Sequence, residues 1–216
     1  MTLSLGKPSM LVVLDVDSTL IEQEVIEVLA EFAGKQAEVA AVTERAMRGE
    51  LDFAGSLRAR VANLAGLDQE IIGLALQKIT LTKGAEKLIS AVHAASGKVA
   101  AVSGGFSQIL DPLALDLGLD FYRANELEIV SGKLTGDVVP PIIDKPAKAA
   151  ALIEWAEALG ISTSQTIAIG DGANDLDMMQ VAGLSIGFGA KPRVRVAADV
   201  LVDSGDLSDV LALIGL

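Results

Sequence analysis

Short apolar, β-branched runs recur along the chain at residues 10–15 (MLVVLD), 98–103 (KVAAVS), 166–171 (TIAIGD), 184–189 (LSIGFG) and 199–203 (DVLVD). Each predicts a buried strand. Between them the spacing of apolar and polar positions predicts helices near 84–95, 106–117, 146–159, 174–182 and 207–214. Strands and helices alternating in this way predict an α/β fold, a Rossmann-like parallel sheet with helices on both faces. Residues 126–139 (ELEIVSGKLTGDVV) alternate around a Ser-Gly pair and predict a hairpin.

Residues 22–82 break the alternation. They carry amphipathic helix patterns and no convincing strand, with breaks near Gly34, Gly49 and Gly66 that divide them into three or four helices. This pattern predicts a small helical cap over 22–82, inserted into an α/β core made of residues 1–21 and 83–216.

Composition narrows the chemistry. Of 216 residues 51% are hydrophobic, which supports a packed aliphatic core, and the net charge of −12 argues against nucleic-acid and anionic-membrane partners. No run of 18 apolar residues predicts a membrane span, and charge follows the N-terminus too closely for a signal segment, so a cytoplasmic protein is expected. With no cysteine, thiolate nucleophiles, thiolate zinc sites and disulfides are excluded. The one histidine, His93, sits in an Ala-rich helical stretch and is expected to be an ordinary helix residue. Carboxylates, hydroxyls, lysines and a metal remain.

The polar residues at the strand ends supply them. In parallel α/β sheets ligands bind at the carboxyl ends of the strands. The first predicted strand runs into Asp15 and Asp17, the second into Ser103-Gly104-Gly105, the third into Asp171-Gly172, followed by Asn174 and Asp175. An ionised carboxylate resists the burial that an apolar strand seeks, so two of them at a strand end need compensation. Each motif alone also suits a turn or a helix cap. Together, acids able to hold a hard cation, glycine amides able to hold phosphate, a hydroxyl and a lysine describe a phosphoryl-transfer site with Mg²⁺. Spacing leaves Lys148 and Lys145 as equal candidates for that lysine.

The stretches DVDST, SGG, the lysine and GDGAND, in this order and with RAMRGELDFAGSLRARV (45–61) and GGFSQIL (104–110), resemble the haloacid dehalogenase superfamily, and within it the phosphoserine phosphatase family. The resemblance covers nearly the whole chain. It implies a Mg²⁺-dependent hydrolysis of phosphoserine at the last step of serine biosynthesis, with Asp15 as nucleophile and Asp17 as acid and base. It further implies a metal held by Asp15, the Asp17 carbonyl and Asp171, with Asp175 and Asn174 beside it. Ser103, Gly104 and Lys148 would bind phosphate, Glu24 the substrate amino group and Arg60 its carboxylate, while Met47 and Phe53 would shield the pocket. Two alternatives are a related phosphatase acting on another small phosphomonoester and a receiver-like domain that keeps its phosphoaspartate.

Overall fold

In a computed structural model that describes residues 8–47 and 50–216, the run Leu11–Leu14 forms β1, with all four side chains excluded from solvent. The other strands are β2 (Lys98–Phe106), β3 (Phe121–Val130), β4 (Lys133–Val139), β5 (Thr166–Gly170), β6 (Leu184–Phe188) and β7 (Val200–Val202). They form one sheet in the order β4-β3-β2-β1-β5-β6-β7, so β1 is central, and every pairing is parallel except that of β3 with β4. The expected hairpin is the β3–β4 pair, turning at Ser131-Gly132 with both residues at positive φ.

The helices are α1 (Val25–Ala33), α2 (Gln36–Met47), α3 (Phe53–Val61), α4 (Glu70–Leu76), α5 (Ala85–Ala94), α6 (Ser107–Leu117), α7 (Lys145–Leu159), α8 (Leu176–Val181), α9 (Pro192–Ala197) and α10 (Val210–Leu213). Alternate residues of β1 serve opposite faces of the sheet, as the two-residue period of a strand requires. Val12 and Leu14 join a large apolar cluster with Leu29, Leu88, Val92, Ile109 and Val210, which also takes in Leu57 and Val61 of α3. Leu11 and Val13 pack with Leu152, Trp155, Met178 and Val194 from α7, α8 and α9. Burying a Val or Leu side chain contributes about 1.5–3 kcal/mol, so a fully covered four-residue strand is a strong anchor for whatever follows it.

The structure differs from the sequence pattern at three places. β3 begins at Phe121, ahead of the expected hairpin, because FYRA is mixed in polarity and only partly buried there, so no continuous apolar run marks it. β2 extends past Ser103 to Phe106. Helix α9 has six residues, too few for a helical period to register. Among the described residues no helix is long and apolar enough to cross a membrane.

The start of β3 is pinned by Asp120. Its carboxylate accepts hydrogen bonds from the Val99 N–H (2.9 Å) and Lys98 Nζ (2.6 Å) and contacts His93 Nε2 (2.9 Å), which gives the half-buried His93 a structural partner. Partial burial would raise the Asp120 pKa, but these contacts outweigh it and hold the group below the usual carboxylate value. Because the folded state then binds fewer protons than the unfolded state, this contribution is present above the ordinary Asp pKa of about 3.9 and is lost as pH falls through the lower folded value. Asp120→Ala should cost about 1–3 kcal/mol in urea unfolding at pH 7, with the gap to wild type narrowing as the pH is lowered from 5 to 3. A gap independent of pH would mean that packing rather than charge anchors this corner.

Candidate active site

The segment after β1 turns at once. Val16–Leu20 form a wide helical turn in which Asp17 is extended (φ −62°, ψ 129°) and Ser18 is left-handed (φ 57°). Asp15 is held at its mouth, because its N–H donates to the Ile169 carbonyl of β5 (2.8 Å) and its Oδ1 accepts the Val16 N–H (2.7 Å). Lys148 lies in the first turns of α7, whose N-cap Asp144 accepts from the Ala147 N–H. Its ammonium bridges Asp15 Oδ1 (2.6 Å) and Asp175 Oδ1 (2.7 Å), and the lysine is fully buried. Lys145, three residues earlier, is half-exposed and pairs with Asp177 (2.7 Å) outside this cluster. Geometry thus separates two lysines that spacing left equal.

Burial raises the Asp15 pKa well above the usual value, reinforced by Asp175 and opposed by Lys148. Burial would lower the Lys148 pKa, but the two carboxylates outweigh it and drive it upward. The ammonium is therefore a permanent charge of the site.

Carboxylate oxygens of Asp15, Asp171 and Asp175 lie within 4.8 Å of one another and all three residues are buried. This set fits a small hard cation, because it offers oxygen donors, three carboxylates against the two ammonium groups of Lys148 and Lys191. Both oxygens of Asp175 are already engaged, Oδ1 by Lys148 and Oδ2 by the Gly172 N–H (3.0 Å), which suits a residue that orders the cluster. Burial raises the Asp171 pKa against the pull of Lys191, whose Nζ lies 2.9 Å from Asp171 Oδ2.

Asp17 Oδ2 accepts the Val25 N–H (3.3 Å), while Oδ1 is buried without a partner. Burial, then the charge of Glu24, push its pKa up to about 7. A carboxyl group poised there can both give and take a proton at neutral pH. Glu24, at the residue before α1, accepts from Ser18 Oγ (3.0 Å) and lies 3.6 Å from Lys191 Nζ.

These groups surround a pocket of about 270 Å³ lined by Asp15, Asp17, Glu24, Arg60, Asp171, Asn174 and Lys191, with Ile26, Phe53, Leu57 and Phe106 as its apolar wall. Burial lowers the Arg60 pKa against the pull of Glu24 and Asp17, while its Nε donates to the Ser56 carbonyl (3.3 Å). Gly104 and Gly105 also line the pocket. A Cβ on Gly104 would come within 2.9 Å of the Phe53 ring, and one on Gly105 within 3.2 Å of the Asp17 carboxylate, so the site needs bare backbone there.

Ser103 is buried, but its Oγ accepts the Gly105 N–H (2.8 Å) and it supports the loop rather than lining the pocket. The Met47 side chain lies outside the described residues. The sequence reading gave no role to Lys191 or Ser18, and named Gly105 only as part of the strand-end Ser103-Gly104-Gly105. Lys191 follows β6 and directly precedes Pro192 at the start of α9, so the rule that polar residues at strand ends build the site could have found it.

A sequence model of the family described as "haloacid dehalogenase-like hydrolase" matches residues 12–180. The phosphoserine phosphatase of Streptococcus thermophilus is 48% identical over 204 residues, 94% of this chain and 95% of that protein. The chain belongs to the phosphoserine phosphatase family of haloacid dehalogenase-like hydrolases. Another member, from Streptomyces coelicolor, is 54% identical over 206 residues; the chain spans half its length. A solved structure described as a phospho-aspartyl intermediate analogue of phosphoserine phosphatase superposes with a TM-score of 0.91 at 41% identity, covering 96% of this chain and 100% of that one. Family membership accounts for the parallel sheet, the acidic strand ends and their order along the chain.

Proposed function

We propose that the chain is a Mg²⁺-dependent phosphatase that hydrolyses O-phosphoserine to serine and phosphate through an aspartyl phosphate on Asp15. The observation that carries the reading is one buried lysine joined to Asp15 and Asp175 beside Asp171, next to a pocket that Asp15, Asp171, Glu24 and Arg60 all line. Residues 22–82 act as a cap over a core of 1–21 and 83–216, since Glu24, Phe53 and Arg60 all reach the pocket from that span.

Lys148 and the Val16 N–H both bind Asp15 Oδ1, which leaves Oδ2 to attack phosphorus. The phosphorus–ester oxygen bond breaks as the Asp15–phosphorus bond forms, and protonated Asp17 gives its proton to the departing serine oxygen. Ionised Asp17 then takes a proton from water, whose oxygen displaces Asp15 and releases phosphate. A group near pKa 7 is equipped for both halves. Gly104 offers its backbone N–H to the phosphate oxygens, in a loop that the Gly105 N–H braces on Ser103 Oγ. Glu24 matches an ammonium and the planar fork of Arg60 matches a carboxylate, so the pair recognises an amino acid.

Asp15, Asp171 and the Asp17 carbonyl would hold Mg²⁺, which when bound offsets the negative charge of phosphate against these carboxylates. Chelation with EDTA should abolish phosphate release and Mg²⁺ should restore it. Since cation binding to the folded state stabilises it by about 2.7 kcal/mol at a hundredfold excess over Kd, Mg²⁺ should also raise the melting temperature. Full activity after exhaustive metal removal would rule the requirement out.

Substrate identity is tested at Arg60. Arg60→Ala should lower kcat/KM for phosphoserine about thirtyfold to a few thousandfold, the equivalent of roughly 2–5 kcal/mol for an unpaired buried charge partner. Hydrolysis of p-nitrophenyl phosphate, which has neither amino group nor carboxylate, should change less than about tenfold. Equal losses on both substrates would remove the argument for an amino-acid substrate.

A further inference from the structure

Lys148 and Lys191 meet the acidic cluster in different ways. Lys148 is fully buried between Asp15 (2.6 Å) and Asp175 (2.7 Å), so its ammonium has no water to move into. The Lys191 side chain is 59% exposed, although its Nζ lies 2.9 Å from Oδ2 of the buried Asp171 and 3.6 Å from Glu24 Oε1. One charge is built in, and the other stands at the edge of the pocket with solvent beside it.

The main chain of Lys191 is fixed even so. Its N–H donates to the Asp171 carbonyl at 2.8 Å, and its own carbonyl accepts the Val194 (3.0 Å) and Arg195 (3.1 Å) N–H groups that open α9. It is extended (φ −67°, ψ 158°) ahead of Pro192, as a residue before proline prefers. Lys191 is thus tied to Asp171 twice, rigidly through the backbone and reversibly through the ammonium. The flexible four-carbon stem lets Nζ swing into water with no change in the main chain.

Asp171 is also one of the three acids placed to hold a cation. A divalent cation and an ammonium drawn to the same carboxylate repel each other, and burial of that carboxylate limits the screening between them. Lys148 cannot leave, whereas Lys191 regains full hydration when it does. The group able to yield is Lys191.

We propose that Lys191 is a positioning residue of the metal site that stands in for the cation: it neutralises Asp171 and holds it in place while no metal is bound, and it releases Asp171 when Mg²⁺ binds. The inference rests on the reading of the acidic cluster as a cation site. Lys191 is then an internal competitor of Mg²⁺, which weakens cation binding while it stabilises the metal-free protein.

Lys191→Met approximates the stem and removes the charge, and Lys191→Arg keeps a charge. On protein stripped with EDTA and dialysed, calorimetric titration with MgCl₂ should give Lys191→Met a dissociation constant at least about fivefold below that of the wild type. Lys191→Arg should lie closer to the wild type. In EDTA the melting temperature of Lys191→Met should fall below the wild-type value, and the gap should close at saturating Mg²⁺. A residue that merely supported the fold would lower it equally in both.

A second readout needs no variant. Brief treatment with acetic anhydride, followed by mass spectrometry, should label Lys191 at least about threefold faster in Mg²⁺ than in EDTA, because pairing with a carboxylate disfavours the free amine that reacts. Lys145, paired with Asp177 outside the cluster, should keep its rate. Unchanged or weaker Mg²⁺ binding by Lys191→Met would overturn the proposal. So would tighter binding with Lys191 labelling indifferent to Mg²⁺, since ammonium and cation would then share Asp171. A wild type that binds no Mg²⁺ would instead overturn the reading of the acidic cluster as a cation site.

Discussion

Asp15→Asn should reduce phosphoserine turnover by at least about ten-thousandfold while leaving the protein folded, since a covalent nucleophile has no substitute within the site. The substitution is nearly isosteric, and an amide oxygen can still accept the Val16 N–H that Asp15 Oδ1 accepts. Lys148 keeps Asp175. What disappears is the nucleophilic carboxylate and one of three charges crowded within 4.8 Å, so Mg²⁺ should raise the melting temperature less than in the wild type. Asp17→Asn offers the contrast: Asp15 remains able to attack, but leaving-group protonation and water activation are both impaired, so phosphoenzyme should form slowly or persist. Mass spectrometry of acid-quenched protein distinguishes the two variants. Near-normal turnover in Asp15→Asn would refute covalent catalysis at this residue.

Lys148→Met should cost both stability and activity. Removing the ammonium leaves Asp15 and Asp175 buried without their shared cation, and breaking a buried pair from one side costs about 3–5 kcal/mol. For a chain of this length that corresponds to a fall in melting temperature of roughly 6–20 °C. The folded pKa of Lys148 lies above its ordinary value, so its contribution is fully present at every pH below the unfolded pKa of about 10.4 and is lost only in strong alkali. The deficit should therefore be undiminished at neutral pH, and smaller with Mg²⁺ than in EDTA because a divalent cation replaces part of the missing charge. Turnover should fall at least about a hundredfold through loss of the charge beside the transferring phosphate. Lys145→Met is the control: its exposed pair with Asp177 should be worth no more than about 1 kcal/mol, with little effect on turnover. The opposite ranking of the two lysines would displace Lys148 from the site.

Much of this protein is legible along the chain because its signals are local. The run Leu11–Leu14 can satisfy itself only as a buried strand, and Asp15 and Asp17 follow because charge resists that burial. The same logic marks Asp171 after β5 and the glycines in β2, and the alternation of strands with helices fixes the parallel sheet. Pro192–Ala197 and the first half of β3 escaped detection because a six-residue helix and a half-exposed strand do not generate a clear period.

Tertiary structure decided the pairings. Lys148 reaches Asp15 across 133 positions, and no local spacing distinguishes it from Lys145; the turn of α7 buries one and exposes the other. Lys191 enters the pocket because β6 lies beside β5, and Asn125 holds Gly104 because β2 bulges against β3. The raised pKa of Asp17 likewise depends on the burial and the neighbouring charge that folding imposes. Sequence period encodes which residues seek water and which avoid it, whereas the partner of a buried charge depends on distances of a few ångströms that exist only once the sheet has formed.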